Sequence, residues 1–123
     1  MIVLHAAARY LTAIRPRLPR WDLALCQPAG YHSTRWLTAI TVDPIKTGIT
    51  REAIRLELLT HQIEARPLWK PMHLQPLYQG APYHGAGYDA GLFQIGLCLP
   101  SGSDMTDMQQ DEVIGHIKAL VAG

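Results

Sequence analysis

Arg66, Trp69, Lys70 and His73 fall in one short stretch, interleaved with Pro67, Pro71 and Pro76. Proline-rich backbone has less freedom to lose on ordering, so such a stretch can present side chains rigidly without a regular hydrogen-bond ladder. The residue types suit a phosphorylated, ring-containing ligand. The Trp69 indole can stack on a base or sugar face. Arg66 and Lys70 can pair with phosphate oxygens. His73 can donate to a hydroxyl or a phosphate. The same residues also have a purely structural use: Arg66 and His73 can serve carbonyls of their own loop, and Trp69 can be core.

Other chemistries find little support in the pattern. The six histidines are His5, His32, His61, His73, His84 and His116; no two of them are spaced i,i+4, and neither cysteine belongs to a CxxC pair. Scattered structural or surface histidines are expected, and no metal site. The run Pro82-Tyr83-His84-Gly85-Ala86-Gly87 lacks the GxGxxG of a nucleotide fingerprint. Asp43 and Asp89 read as turn or cap residues. No Ser/His/Asp arrangement can be assigned, and the turn at Gly102 has no G-x-S-x-G around it.

The chain has 123 residues, 48% hydrophobic and 17% charged, with a formal net charge of +1. That length fits one domain over 1–123. The charge balance gives no reason to expect nucleic acid or an acidic membrane as partner. No apolar run approaches a bilayer span and no signal peptide is evident, so a cytoplasmic location is expected. Cys26 and Cys98 lie among apolar neighbours and read as buried reduced thiols.

The elements that must carry these residues follow from periodicity. Leu4, Ala7, Ala8, Leu11 and Ile14 mark one face of an N-terminal helix ended by Pro16 and Pro19. Residues 22–26 predict a short strand. Thr34–Val42 predicts a second, with Trp36, Thr38, Ile40 and Val42 on one face. Asp43-Pro44 stops it, and a loop leads to Gly48. Thr50 caps a helix whose core stripe is Ile54 and Leu58 with Leu59 beside them, and Glu52 and Arg55 form a weak surface pair. A short strand is expected over 63–66.

Residues 67–91 read as a long loop, broken by Pro67, Pro71, Pro76 and Pro82 and by Gly80, Gly85 and Gly87. Trp69, Tyr78, Tyr83 and Tyr88 imply that it is ordered, because aromatic rings in a loop pack on something. A short helix over 89–95, a buried strand over 97–99 and a final helix complete the chain. Thr106 and Gln109 form the capping box of that helix, and Val113, Ile114, Ile117, Leu120 and Val121 are its apolar stripe. The sum is an α/β (α+β) fold, a two-layer sandwich of helices on a small mixed or antiparallel sheet.

The segment Arg66-Pro67-Leu68-Trp69-Lys70-Pro71-Met72-His73-Leu74-Gln75-Pro76, with Gly96-Leu97-Cys98-Leu99-Pro100-Ser101-Gly102-Ser103-Asp104-Met105-Thr106, resembles the C-terminal portion of the DegT/DnrJ/StrS family of pyridoxal-phosphate-dependent sugar-nucleotide aminotransferases. Thr34-Arg35-Trp36-Leu37 and Val42-Asp43-Pro44 extend the resemblance, which covers roughly residues 33 to 121. It implies the fold of the small C-terminal domain of fold-type I aminotransferases. It also implies that the Arg66–Pro76 loop approaches a substrate cleft, and that the large cofactor-binding domain lies outside these residues.

Pyridoxal phosphate needs a lysine for covalent attachment, an acid at the ring nitrogen and a phosphate cradle. Lys46, Lys70 and Lys118 all lack that context, so no cofactor is expected on this chain. Three readings follow. The chain is the small domain of such an aminotransferase, not catalytic by itself and partnered by a large domain. It is an interaction module that self-associates through the surface a large domain would cover. Or it is a small nucleotide-sugar binder. Under each reading the substrate-binding candidates are Arg66, Trp69, Lys70 and His73.

Overall fold

A computed structural model describes residues 8–10, 12–14, 29–31, 34 and 36–122. The short strand expected over 22–26 and Cys26 lie outside these residues. The apolar run Leu97-Cys98-Leu99 is the centre of the fold. With Gly96 it forms β3 (Gly96–Leu99), and all four of its residues are buried. The strands β1 (Thr38–Thr41) and β2 (Arg66–Pro67) flank it, giving the order β1-β3-β2 among the described residues. Both pairings are antiparallel, which settles the choice between a mixed and an antiparallel sheet. In the register, Thr38 faces Leu99, Ala39 faces Cys98, Ile40 faces Leu97, and Arg66 faces Cys98 from the other side.

Alternation along these strands divides the sheet into two faces. Thr38, Ile40, Leu97 and Leu99 turn to the helices, while Ala39, Cys98 and Arg66 lie on the opposite face. Residues 8–10 and 12–14 are helical, as expected; Ile14 of the expected stripe is buried together with Tyr10, whereas Ala8 is exposed, and Leu4, Ala7 and Leu11 lie outside the described residues. The Tyr10 hydroxyl donates to the Pro100 carbonyl at 3.1 Å, and burial pushes its pKa well above the ordinary tyrosine value. Arg9, next to it, forms ion pairs with Asp107 and Asp111 of the final helix.

The loop expected between Asp43 and Gly48 is instead one helical turn, α1 (Pro44–Thr47). Its signals are local. The Asp43 carboxylate accepts from the Ile45 amide at 3.0 Å, Pro44 takes the first helical position, and Gly48 closes it at φ 72°. In α2 (Arg51–Thr60) the Thr50 hydroxyl accepts from the Ala53 amide at 3.1 Å, as a cap should. Ile54 and Leu58 are fully buried, but Leu59 is 52% exposed, because one residue on from Leu58 points 100° away on a helix. The Glu52–Arg55 pair closes at 2.6 Å on the surface.

The last turn of α2 ends in a double closure. The Gln62 amide donates to the Leu59 carbonyl and the Ile63 amide to the Leu58 carbonyl. This is the Schellman arrangement, with Gln62 at φ 60° where glycine is usual. The strand expected over 63–66 is displaced to Arg66–Pro67, because 61–63 are taken up by this cap.

The long loop is not featureless: it carries 3-10 turns at Met72–Leu74 and Pro76–Tyr78. The next helix, α3 (Tyr88–Ile95), starts one residue earlier than the sequence suggests, after Gly87 at φ 77°. α4 (Asp107–Ala122) opens on the expected capping box. Gln109 Oε1 accepts from the Thr106 amide at 2.9 Å while the Thr106 hydroxyl accepts from the Gln109 amide at 3.3 Å. Val113, Ile114 and Ile117 are buried with Ile54, Leu58, Ile40, Val42, Leu97 and Leu99 in one core.

Two glycine-related sites test this account. Gly96 has ordinary extended backbone, but a Cβ there would run into the Leu68 side chain and come within 2.6 Å of the Leu92 carbonyl oxygen. Gly96→Ala is therefore expected to cost about 1–3 kcal/mol in urea unfolding through overpacking. Gln62→Gly relieves a left-handed side-chain clash and should gain about 0.5–1 kcal/mol in the same measurement.

Candidate functional site

On the face of the sheet that carries Cys98 and Arg66 lies a cleft of about 690 Å³. Trp36, Leu37, Pro67, Leu68 and Trp69 supply most of its apolar wall, and Glu64, Arg66 and Ser101 its polar groups. The register of β3 builds it. Trp36 lies two residues before Thr38, Trp69 lies just past β2, and both strands pair with β3, sharing Leu97 and Cys98 as partners. Their indoles come to 6.2 Å between ring centres with planes 29° apart. Both remain open to solvent, at 68% and 67% exposure. Two half-open indoles on an apolar floor form a surface that can take a flat or ring-shaped group.

The floor of the cleft is stiff. Ser101 is buried; its hydroxyl donates to the Leu99 carbonyl and accepts from the Thr38 amide, both at 2.9 Å. That bridge ties the end of β3 to the start of β1. Cys98 is buried and unpaired, and burial pushes its thiol above the ordinary value. A thiol so placed packs as a small apolar group and is a poor nucleophile.

The four residues singled out by sequence divide. Arg66 and Trp69 line the cleft together. Arg66 is already engaged, its guanidinium 2.7 Å from Glu64 Oε1, with both side chains largely exposed. Exposed pairs of this kind contribute only about 0–1 kcal/mol, so a phosphate can compete for the guanidinium. Lys70 is exposed on the loop and does not line the cleft.

His73 turns the other way, into the loop. Its ring packs on Tyr83 with centres 4.0 Å apart, and its Nδ1 lies 3.4 Å from Asp89 Oδ2. Tyr83 donates its hydroxyl proton to Asp89 at 2.8 Å and accepts from the Gly87 amide at 3.1 Å. This network joins the first 3-10 turn to the start of α3. His73 thus holds the loop in shape and stands outside the cleft. The tyrosine hydrogen bond holds the Asp89 carboxyl below the ordinary carboxylate range, and the same bond raises Tyr83.

Sequence reading placed Trp36 on one strand face with Thr38, Ile40 and Val42, whereas the strand begins at Thr38 and Trp36 is a cleft residue. A second missed grouping lies elsewhere: His61 and His116, remote in sequence, stack face to face beside Glu57.

Residues 7–118 match the sequence pattern of the DegT/DnrJ/EryC1/StrS aminotransferase family. The chain belongs to that family. The match reaches back well before Thr34, so the N-terminal helix is part of the family unit and the resemblance is longer than the motifs suggest. A Bacillus subtilis (strain 168) protein named as a pyridoxal phosphate-dependent aminotransferase, EpsN, is 46% identical over 67% of this chain, which spans 21% of that protein. Among solved structures, a DegT DnrJ EryC1 StrS aminotransferase from Brucella abortus superposes over 99% of this chain and 31% of its own, with TM-score 0.75 at 24% identity. S. venezuelae DesV, solved in complex with a ketimine intermediate, superposes over 99% of this chain and 32% of its own, with TM-score 0.77 at 25% identity. This aminotransferase-family chain therefore spans about a third of the solved structures' length and about a fifth of EpsN's.

The coenzyme named for EpsN does not fit the residues present here. Lys46 lies on the exposed turn α1 with its Nζ 3.7 Å from Asp43. Lys70 is exposed on the loop. Lys118 lies along α4 beside the shallow hollow that also holds Arg9 and Asp111. Among the described residues, none of the three is set in a cavity with both an acid for a ring nitrogen and a cradle of amides for a phosphate. Among the described residues, no helix is long and apolar enough to cross a membrane.

The loop network predicts a pH response. A carboxyl held below its ordinary value stabilises the fold above that value, and the contribution is lost as pH falls through the lowered one. Tyr83→Phe removes the donor. In an NMR titration the Asp89 carboxyl should move up toward the ordinary range, and amides of residues 72–88 should exchange faster. An unmoved Asp89 titration would contradict the assigned cause.

Proposed function

We propose that this chain is the small domain of a pyridoxal-phosphate-dependent sugar-nucleotide aminotransferase, and that it is not catalytic by itself. The observation that carries the reading is the placement of Lys46, Lys70 and Lys118, none of them housed for the coenzyme, in a chain that belongs to an aminotransferase family. The attaching lysine, the acid and the phosphate cradle then come from a large domain that packs beside this one.

In that assembly the chain contributes shape and binding. The Trp36–Trp69 pair offers ring faces to a sugar or base, and Arg66 exchanges Glu64 for a diphosphate oxygen. Lys70, exposed and next in sequence to Trp69, adds positive charge outside the cleft. His73 acts indirectly by keeping the proline-rich loop in one conformation. Binding energy from such remote groups serves positioning, which is where a small domain can raise the rate of a reaction it does not carry out.

A second reading is favoured by one observation, the exposure of two large indoles beside an apolar cleft. Without a large domain, that surface is a natural contact for a second copy of the chain. A nucleotide sugar bound at the same place without any large domain is the third reading, and calorimetric titration decides it.

Mixed with pyridoxal phosphate and reduced with borohydride, the purified chain should show no stoichiometric lysine adduct by mass spectrometry. Given an amino donor and a nucleotide sugar, it should yield no amino sugar until a family large domain is added. Turnover by the 123-residue chain in isolation would refute the proposal. Light scattering tests the second reading: Trp69→Ala should shift a dimer toward monomer, and a wild-type monomer counts against it.

A further inference from the structure

Glu57 and His61 lie one turn apart on α2, and His116 lies on α4. The two helices pack through Leu58 and Ile117, both fully buried and each next in sequence to one of these residues. This packing brings the His61 and His116 rings to 3.7 Å between centres with planes 22° apart. His61 Nε2 is 3.3 Å from Glu57 Oε1. One ligating atom from each of the three residues lies within 4.8 Å of the others.

We propose that Glu57, His61 and His116 form a binding site for a divalent transition metal, with Zn²⁺ as the ion best suited. Two imidazole nitrogens and one carboxylate oxygen are the donor set of a borderline ion, and they disfavour Mg²⁺ and Ca²⁺, which take oxygen ligands. A tetrahedral Zn²⁺ with bonds of about 2.0–2.2 Å sets its donors roughly 3.3–3.6 Å apart. Closing from the present separation needs only side-chain rotation, with the backbone held by the core between α2 and α4. The fourth position is open to water or to a group from another molecule. His61 is exposed, and Glu57 and His116 are half-buried, so an ion can enter from solvent.

The alternative account of the same geometry is a ring stack and a surface pair that contribute little. Metal binding separates the two. It bridges two helices, so it must also stabilise the fold. None of the three residues lines the Trp36–Trp69 cleft, and the proposal does not depend on the aminotransferase reading.

The test titrates the metal-free 123-residue chain with ZnCl₂, following heat and melting temperature. Co²⁺ serves as a spectroscopic probe. One equivalent of Zn²⁺ should bind and raise the melting temperature, and Co²⁺ should give the visible absorption of a nitrogen- and oxygen-ligated ion. His116→Ala should weaken binding by at least about tenfold and abolish the thermal shift. His61→Ala, a change at an exposed position, should do the same and guards against a folding defect in the buried-side variant. His84→Ala, in the remote loop, should bind like the parent. Absence of binding by the parent overturns the proposal. So does undiminished affinity in either His61→Ala or His116→Ala.

Discussion

The burial of β3 is the constraint on which the rest of this molecule depends. Its four residues are buried, and the strand is paired on both edges, along its full length by β1 and at Leu97 and Cys98 by β2. Leu97 and Leu99 bind the helical layer, and Cys98 supports the opposite face. Gly96 allows Leu68 to lie directly on the backbone, where the Leu68 amide donates to the Gly96 carbonyl at 3.2 Å. A one-residue slip of β3 would reverse its faces and pull apart both layers. The distance between the two indoles is a product of that register. Neither tryptophan touches its partner through sequence neighbours; each is placed by its own strand's pairing with β3.

Rigidity and chemistry are separated in this chain. The proline-rich loop is stiffened by the His73, Tyr83, Asp89 and Gly87 contacts. The cleft wall is held by Ser101. The charged groups nearest the cleft are cheaply paired at the surface and can be redirected by a ligand. This is the economy of a positioning domain: firm where shape matters, loosely paired where a substrate has to intervene.

Much of this was legible in the residues. The caps at Thr50 and Thr106, the buried pair Ile54 and Leu58, and the stripe of α4 follow from local rules that act within one or two turns. The cleft was only half legible. Arg66 and Trp69 are close in sequence, but Trp36 joins them through a pairing between distant segments, and period-two reading extended its strand too far. His73 carried a ligand-like signature because its partners, Tyr83 and Asp89, lie ten or more residues on. The contact of His61 with His116 spans two helices and has no local signal; only the Glu57–His61 spacing was visible, and spacing between histidines was the wrong pattern to seek.

β2 has a consequence beyond the cleft. It is two residues long and ends in Pro67. Because the Leu68 amide points at Gly96, alternation turns the nitrogen of Pro67 outward, where it has no hydrogen to offer. A passing extended segment would find no donor at Pro67 on that margin. Among the described residues, strand addition is disfavoured on that margin.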